Sequence, residues 1–390
     1  MIQQQSPPSL YGNAPSQHDS LATPVYQHLS RARMDGFFNG IRQIAVSEIE
    51  AWPVGAIANV HDLARKLAQR YALTLLFGEE RLDRVRMLGD LIARYHGANW
   101  SRGAQWPRWN VKWMPYHAVI ALAELQQRAI MRWNEEQTQC LAHKNLRTVL
   151  TNAKDASGCP LTPKRVAAQV SGLLLASYET TALSLTWALF LLTQHPHIMA
   201  DLTDELSALP SIETLDLETL SKQPLLDGVI KETMRLITPV PVIGFKTVEP
   251  CEIAGRELKN NALVVISPHL THRLPEIYEA PDRFRPQRWL RFEPTAFEYL
   301  PFSAGRRRCP GYWFAVHALK VALAVILPRY RLSMTPGVRI DRAYTAVTVP
   351  KNGLPMKIMP QDRDFRVEPC TGNVFDMFVP EARATPAPTR

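Results

Sequence analysis

The chain has 390 residues, 46% of them hydrophobic and 21% charged, enough for one large core or two ordinary ones, which excludes a disordered chain. Its 45 Lys and Arg against 36 Asp and Glu give a formal charge of +9, but the basic residues are scattered and no aromatic-basic module accompanies them, so a face for an acidic protein partner is expected rather than nucleic acid. Five cysteines without paired spacing, and an N-terminus MIQQQSPPSLYG with neither a charged nor an apolar leader region, predict a reduced, cytoplasmic protein; with no CxxC or HExxH, zinc is not expected.

Residues 1–24, rich in Pro, Ser and Gln, read as unstructured. From about Val25 to Asn152 the pattern is helical, with HDLARKLAQRYALTLLFG and HAVIALAELQQRAIMRWNEEQ spaced at three to four and Gly78 at a helix end. A loop over Thr151–Pro163 leads into Val166–Leu192, 27 residues with a single charge. Length and apolarity qualify this run as a membrane span. Its centre, however, is Ser177, Tyr178, Glu179, Thr180 and Thr181, and a carboxylate among hydroxyls is expensive at mid-bilayer. With no second candidate span, the reading is the central buried helix of a large domain and no membrane span.

His195 and Pro196 close that helix, and DLTDELSAL and LLDGVIKETMRLI predict two amphipathic helices. From Pro239 the runs VPVIGF, CEIAG and ALVVISPHL predict a small sheet, with His269 and His272 in a strand-like stretch. After PDRFRPQRW comes one further apolar helix, GYWFAVHALKVALAVILPRY; YTAVTVPKNGLPMKIMP reads as a β-hairpin and the last 30 residues as a tail. The expected class is mainly α with a minor β-sheet.

The stretch FSAGRRRCPG, Phe302 to Gly311, sets a lone thiol behind three arginines. A cysteine that acts as ligand or nucleophile must be held as thiolate, and neighbouring cations and a helix N-terminus both favour that form. Gly305 and Gly311 allow positive φ or a close approach of the backbone to something large and flat, and Pro310 suits the start of the following helix. On this loop alone, a free buried cysteine in a basic loop stands equally open.

Phe302, Gly305, Arg307, Cys309 and Gly311 fit FxxGxRxCxG, which resembles the haem-binding loop of the cytochrome P450 family. The resemblance implies haem b as cofactor, Cys309 as the axial thiolate on its iron and Arg307 as a clamp on a haem propionate. KETMR supplies an ExxR pair, Glu232 and Arg235, FRPQRW matches FxPxRW, and Ser267–Arg273 resembles the family's sheet-to-loop passage. Arg288 is thereby implied to complete a buried Glu–Arg–Arg network. ASYETT, Ala176–Thr181, resembles the oxygen-binding stretch AGxET of the central helix, which implies that Thr180 and Glu179 relay protons to dioxygen. The bland alternatives there are a Thr180 bonded to its own helix and a satisfied buried carboxylate.

Two departures accompany the matches. Ser177 stands where the family has glycine, so it either narrows the oxygen site or joins the relay; Lys246 stands where an arginine meets a propionate, keeping the charge but losing the fork. VYQHLSRARMDGF, Val25–Phe37, resembles the end of the family's third helix, with no WxxxR. The expected organisation is a segment over 1–24, a haem domain over 25–360 without the family's usual first helices and strands, and a tail over 361–390.

The implied function is a haem-thiolate monooxygenase that inserts one atom of O2 into an apolar or amphipathic small molecule, with electrons from NAD(P)H through a ferredoxin or flavodoxin and a reductase. The alternative is a non-catalytic haem- or ligand-binding remnant of such an enzyme.

Overall fold

A computed structural model describes residues 23–78, 87, 125, 128, 145–155 and 157–380. The second helical run of the N-terminal part apart from Leu125 and Arg128, Cys140, most of residues 1–24 and the end of the tail lie outside them. Helix α1 is Met34–Glu50, followed by strand β1, Ile57–Asn59, and helix α2, Val60–Phe77. After α3, Leu146–Thr151, the long helix α4 runs Pro163–Thr193, then α5 Pro196–Ser207, α6 Leu217–Ser221 and α7 Pro224–Leu236. Strands β2 (Ile243–Lys246), β3 (Cys251–Ile253), β4 (Arg256–Leu258) and β5 (Leu263–Ile266) lead to a single turn, α8, Pro268–Thr271. Helix α9, Tyr312–Arg329, precedes β6 (Tyr330–Met334), β7 (Arg342–Tyr344), β8 (Thr348–Pro350) and β9 (Pro355–Pro360).

The helix starts follow their sequences. Pro163, Pro196 and Pro224 open α4, α5 and α7, where a missing N–H costs nothing. The α7 amides of Leu225 and Leu226 donate to the Glu205 carboxylate at 3.0 and 2.9 Å, a cap supplied from α5.

Helices α4 and α9 are both long and apolar enough to cross a membrane; 72% and 67% of their apolar windows are buried within the protein. Among the described residues α9 is thus a second candidate span beside α4, contrary to the expectation of a single one.

The chain divides into two compact units. One comprises the described parts of Met1–Glu50 and Arg65–Ala182 with Pro310–Ala318; the other comprises Ala51–Ala64, Leu183–Cys309 and the described part of Leu319–Arg390. Both units draw on several chain segments and on parts of the same long helices. The first unit buries Phe38, Ile41, Tyr71, Leu174 and Tyr178; the second buries Trp187, Phe190, Ile230, Leu323 and Ile358.

The strand regions depart from expectation in three places. Ile57–Asn59 lies in a region read as helical, yet it pairs antiparallel with β9, Ile57 opposite Lys357, and completes a sheet of order β1-β9-β6. Three residues are too few to show a period of two. The YTAVTVPKNGLPMKIMP segment is not one hairpin: β8 pairs with β7 and β9 with β6, Leu332 opposite Ile358. The single sheet expected after Pro239 is two separate ribbons, β2-β5 and β3-β4, and His269 sits in the helical turn α8, which Ser267 caps by accepting from the Leu270 amide, with His272 immediately behind it.

Residues 361–380 are not a free tail. Cys370, Val374, Met377 and Phe378 are buried, the Ile340 amide donates to Thr371 O at 2.7 Å, and Phe378 meets Phe190 edge-on at 6.0 Å. The polar composition of the segment hid these few apolar anchors.

Candidate haem-thiolate site

Gly228 brings the ExxR helix against the FxPxRW segment. A Cβ at Gly228 would stand 2.5 Å from the Pro286 carbonyl oxygen, so only glycine lets α7 approach the Arg285–Trp289 segment this closely. Glu232 thereby gathers five donors. Arg235 gives it two hydrogen bonds of 2.9 Å, Arg288 Nε and the Arg285 amide one each of 2.9 Å, and Trp289 Nε1 one of 3.0 Å. The Glu232 and Arg235 side chains are wholly buried, and the rest of the Arg235 fork donates to the carbonyls of His272, Pro281 and Arg283. Burial pushes the Arg288 guanidinium down from its ordinary range, and Glu232 opposes that shift. The structure therefore unites Glu232, Arg235 and Arg288 and adds Trp289 of the same FRPQRW motif.

The cysteine loop lies in the same unit. The Cys309 amide donates to Phe302 O at 2.8 Å and the Arg308 amide to Gly305 O at 3.1 Å, which folds the loop back on itself. Ser303 and Gly305 both adopt positive φ, 58° and 65°; the second needs glycine and the first stores strain in a side-chain-bearing residue. Cys309 is a half-buried thiol outside any disulfide, followed after Pro310 and Gly311 by α9; the Ala315 amide donates to Gly311 O at 2.8 Å as that helix begins.

The loop fits a large anionic, flat group. Arg307 is half-buried and makes no hydrogen bond or ion pair with the described residues, leaving its fork for a carboxylate such as a propionate. A Cβ at Gly305 would meet nothing within 4 Å, so the backbone there is approachable. Lys246 closes β2 as an exposed residue opposite Leu263.

In the other unit, α4 carries ASYETT. Thr180 Oγ1 donates to Ala176 O at 2.8 Å, Thr181 Oγ1 to Ser177 O at 2.7 Å and Ser177 Oγ to Leu174 O at 3.1 Å. All three hydroxyl protons thus engage the helix's own carbonyls, an arrangement that bends helices. Glu179 is buried and pairs with Arg65 of α2, Nε to Oε2 3.0 Å. Burial pushes the Tyr178 phenol up, with Arg65 pulling the other way. Arg65, the ion-pair partner of Glu179, carries no signal of that pairing in its own amphipathic run.

A family model described as Cytochrome P450 matches residues 103–358, more than half of the chain. The chain belongs to the cytochrome P450 family. Haem b held by a cysteine thiolate is the cofactor of this family, and the Cys309 loop has the features such binding requires. Cyclooctatin synthase of Streptomyces melanosporofaciens is 34% identical over 213 residues, 54% of this chain and 46% of that protein. Cytochrome P450 4V2 of Mus musculus is 30% identical over 256 residues, 63% of this chain and 49% of that protein. The chain spans about half the length of the curated relatives it matches. Among solved structures, the retinoic acid-bound cyanobacterial CYP120A1 superposes with a TM-score of 0.79 at 23% identity, covering 90% of this chain and 81% of that one, so this P450 has the fold expected. The heme domain of cytochrome P450DA gives 0.76 at 21% identity, covering 92% and 81%.

Proposed function

We propose that this P450 is a haem-thiolate monooxygenase that inserts one atom of O2 into an apolar or amphipathic small molecule, using electrons from NAD(P)H delivered by a ferredoxin or flavodoxin with its reductase. The observation that carries the reading is the Cys309 loop: a reduced, half-buried thiol on a backbone closed by the Cys309–Phe302 hydrogen bond, beside an unpartnered Arg307. Haem, when bound, supplies the redox and oxygen-cleaving chemistry, and the thiolate donates electron density to it.

The protein's own residues bind, orient and move protons. Cys309 ligates through sulfur, and the folded-back loop fixes where that sulfur points. Arg307 would bind a propionate, and Lys246 would meet one as a point charge rather than a fork. Phe302, Gly305 and Gly311 shape the loop against the ring. Glu179 passes protons to Thr180, and Arg65 holds the Glu179 carboxylate in place. For Thr180 to donate to oxygen, its proton must leave Ala176 O, so the back-bond is the resting position of the relay. Residues 25–360 act as the haem domain of a cytoplasmic enzyme, and the exposed Arg306 and Arg308 face the acidic electron donor.

A second reading, haem or ligand binding without turnover, is favoured by the commitment of the Ser177, Thr180 and Thr181 hydroxyls to their own helix. Reconstitution with haem and either donor, followed by NAD(P)H and O2 consumption with candidate apolar substrates, decides between the two. Substrate-stimulated consumption supports the monooxygenase; a haem-loaded protein that never consumes O2 supports the second reading.

A further inference from the structure

His272 is fully buried and every polar group it has is engaged. Its carbonyl accepts from Arg235 at 2.8 Å, its amide donates to Pro268 O at 2.9 Å, and its ring lies between Tyr278 and Tyr299 at 6.2 and 5.6 Å. The ring nitrogens look in two directions. The Leu300 amide donates to Nε2 at 2.8 Å, so Nε2 is an acceptor and the proton of the neutral ring sits on Nδ1, 3.0 Å from Thr238 Oγ1.

Leu300 is the last main-chain donor before the cysteine loop, because Pro301 has no N–H. Past it, Ser303 N donates to Leu300 O at 3.1 Å and Cys309 N to Phe302 O at 2.8 Å, so the seat of Leu300 is passed on to the thiol. On the far side, Thr348 Oγ1 donates to Thr238 O at 2.9 Å, and Trp187 Nε1 of α4 donates to Thr348 O at 2.9 Å. A buried hydrogen-bonded chain thus runs from Trp187 through Thr348, Thr238 and His272 to the entry of the cysteine loop, and the Arg235 bond to His272 O ties it to the Glu232 network.

We propose that His272 is the positioning residue of the haem-ligand loop: its Nε2 lone pair holds the Leu300 amide and so sets where the Cys309 sulfur stands. The proposal rests on Cys309 being the thiolate ligand. It commits to one half of the imidazole, since the Nε2 acceptor sets the loop while the Nδ1 donor serves packing. A purely structural histidine would need both halves alike.

The test compares H272Q, whose amide oxygen can take the Nε2 position, with H272N, whose amide nitrogen can take the Nδ1 position, and with T238V, which removes the Nδ1 partner and its 3.3 Å bond to Arg235 O while leaving Nε2 untouched. Two readouts are taken on each purified protein: the carbon monoxide spectrum of the reduced haem-loaded form, and hydrogen exchange at the Leu300 amide. H272Q and T238V should keep the red-shifted carbon monoxide band and slow exchange. H272N should lose that band to the short-wavelength form and exchange about 10-fold faster or more at Leu300, because a buried donor is left unpaired. Identical spectra and exchange in H272Q and H272N overturn the proposal. Should H272N not fold, H272Q decides alone, since loss of either signature there contradicts the assignment. A wild-type protein without the red-shifted band refutes the Cys309 reading instead, and the exchange measurement still judges whether His272 holds Leu300.

Discussion

The Trp289 indole N–H donates to Glu232 Oε2 at 3.0 Å, which makes an aromatic residue the fifth donor to a carboxylate otherwise held by two arginines and a backbone amide. A buried charge is tolerable when each of its lone pairs is occupied, and here the occupants come from α7 and from the Arg285–Trp289 segment together.

Glu232→Ala leaves Arg235 and Arg288 as uncompensated buried cations and should cost roughly 3–5 kcal/mol. Soluble yield and denaturant unfolding measure it. Trp289→Phe removes one donor from a carboxylate that keeps four and should cost only about 1–2 kcal/mol. A soluble Glu232→Ala protein with wild-type unfolding contradicts the network's role.

Acid should destabilise the fold through the buried His272 and the half-buried His269. Burial first, and then Arg235 and Arg273, hold the His272 imidazole down to about 3 against an ordinary 6.5, with His269 also opposing its protonation. Burial, Arg273 and Arg342 hold His269 down to about 4. The unfolded state therefore binds more protons below pH 6.5, so stability is lost as pH falls from there toward the folded values. For His272 the loss approaches about 1.4 kcal/mol per pH unit. Urea unfolding at several pH values should show that slope, flattened by one proton in H272Q; an unchanged slope in that variant contradicts the assignment.

Thr180→Ala should keep haem and O2 consumption but lower product formed per NAD(P)H, because the group proposed to deliver the proton is gone. Arg65→Ala, which frees the Glu179 carboxylate without touching the hydroxyl, should move the same ratio by a smaller amount. If Thr180→Ala leaves the ratio unchanged with every accepted substrate, the Ala176 back-bond is all that Thr180 does.

Gly372 reports on the segment after β9. Its φ of 124° is closed to side chains, and a Cβ there would strike the Ile340 carbonyl oxygen. Gly372→Ala should cost on the order of 1–3 kcal/mol from backbone strain alone, before the clash. A thermal transition equal to wild type would mean that residues 361–380 detach freely after all.

What could be read from the sequence was what sits in short contiguous motifs. Glu232 with Arg235, Arg288 in FRPQRW and Cys309 in its glycine-framed loop each carry their partners' spacing with them. Arg65 did not, because its partner Glu179 is distant in the chain and HDLARKLAQR is an ordinary amphipathic run. Strand β1 exists only because β9 pairs with it, and Phe378 is core only because Phe190 stands beside it. Such long-range contacts leave no local period. His272 was visible as one of a close histidine pair, but its value lies in the Leu300 amide, and backbone donors are silent in a sequence.

The central claim, that Cys309 is the thiolate on haem iron, is tested most directly by the carbon monoxide spectrum of the reduced, haem-loaded protein beside its Cys309→Ala variant. The wild-type protein should show the red-shifted band of a thiolate-ligated haem and the variant should lack it. The same band in both proteins would contradict the assignment of Cys309 and, with it, the reading of the Phe302–Gly311 loop.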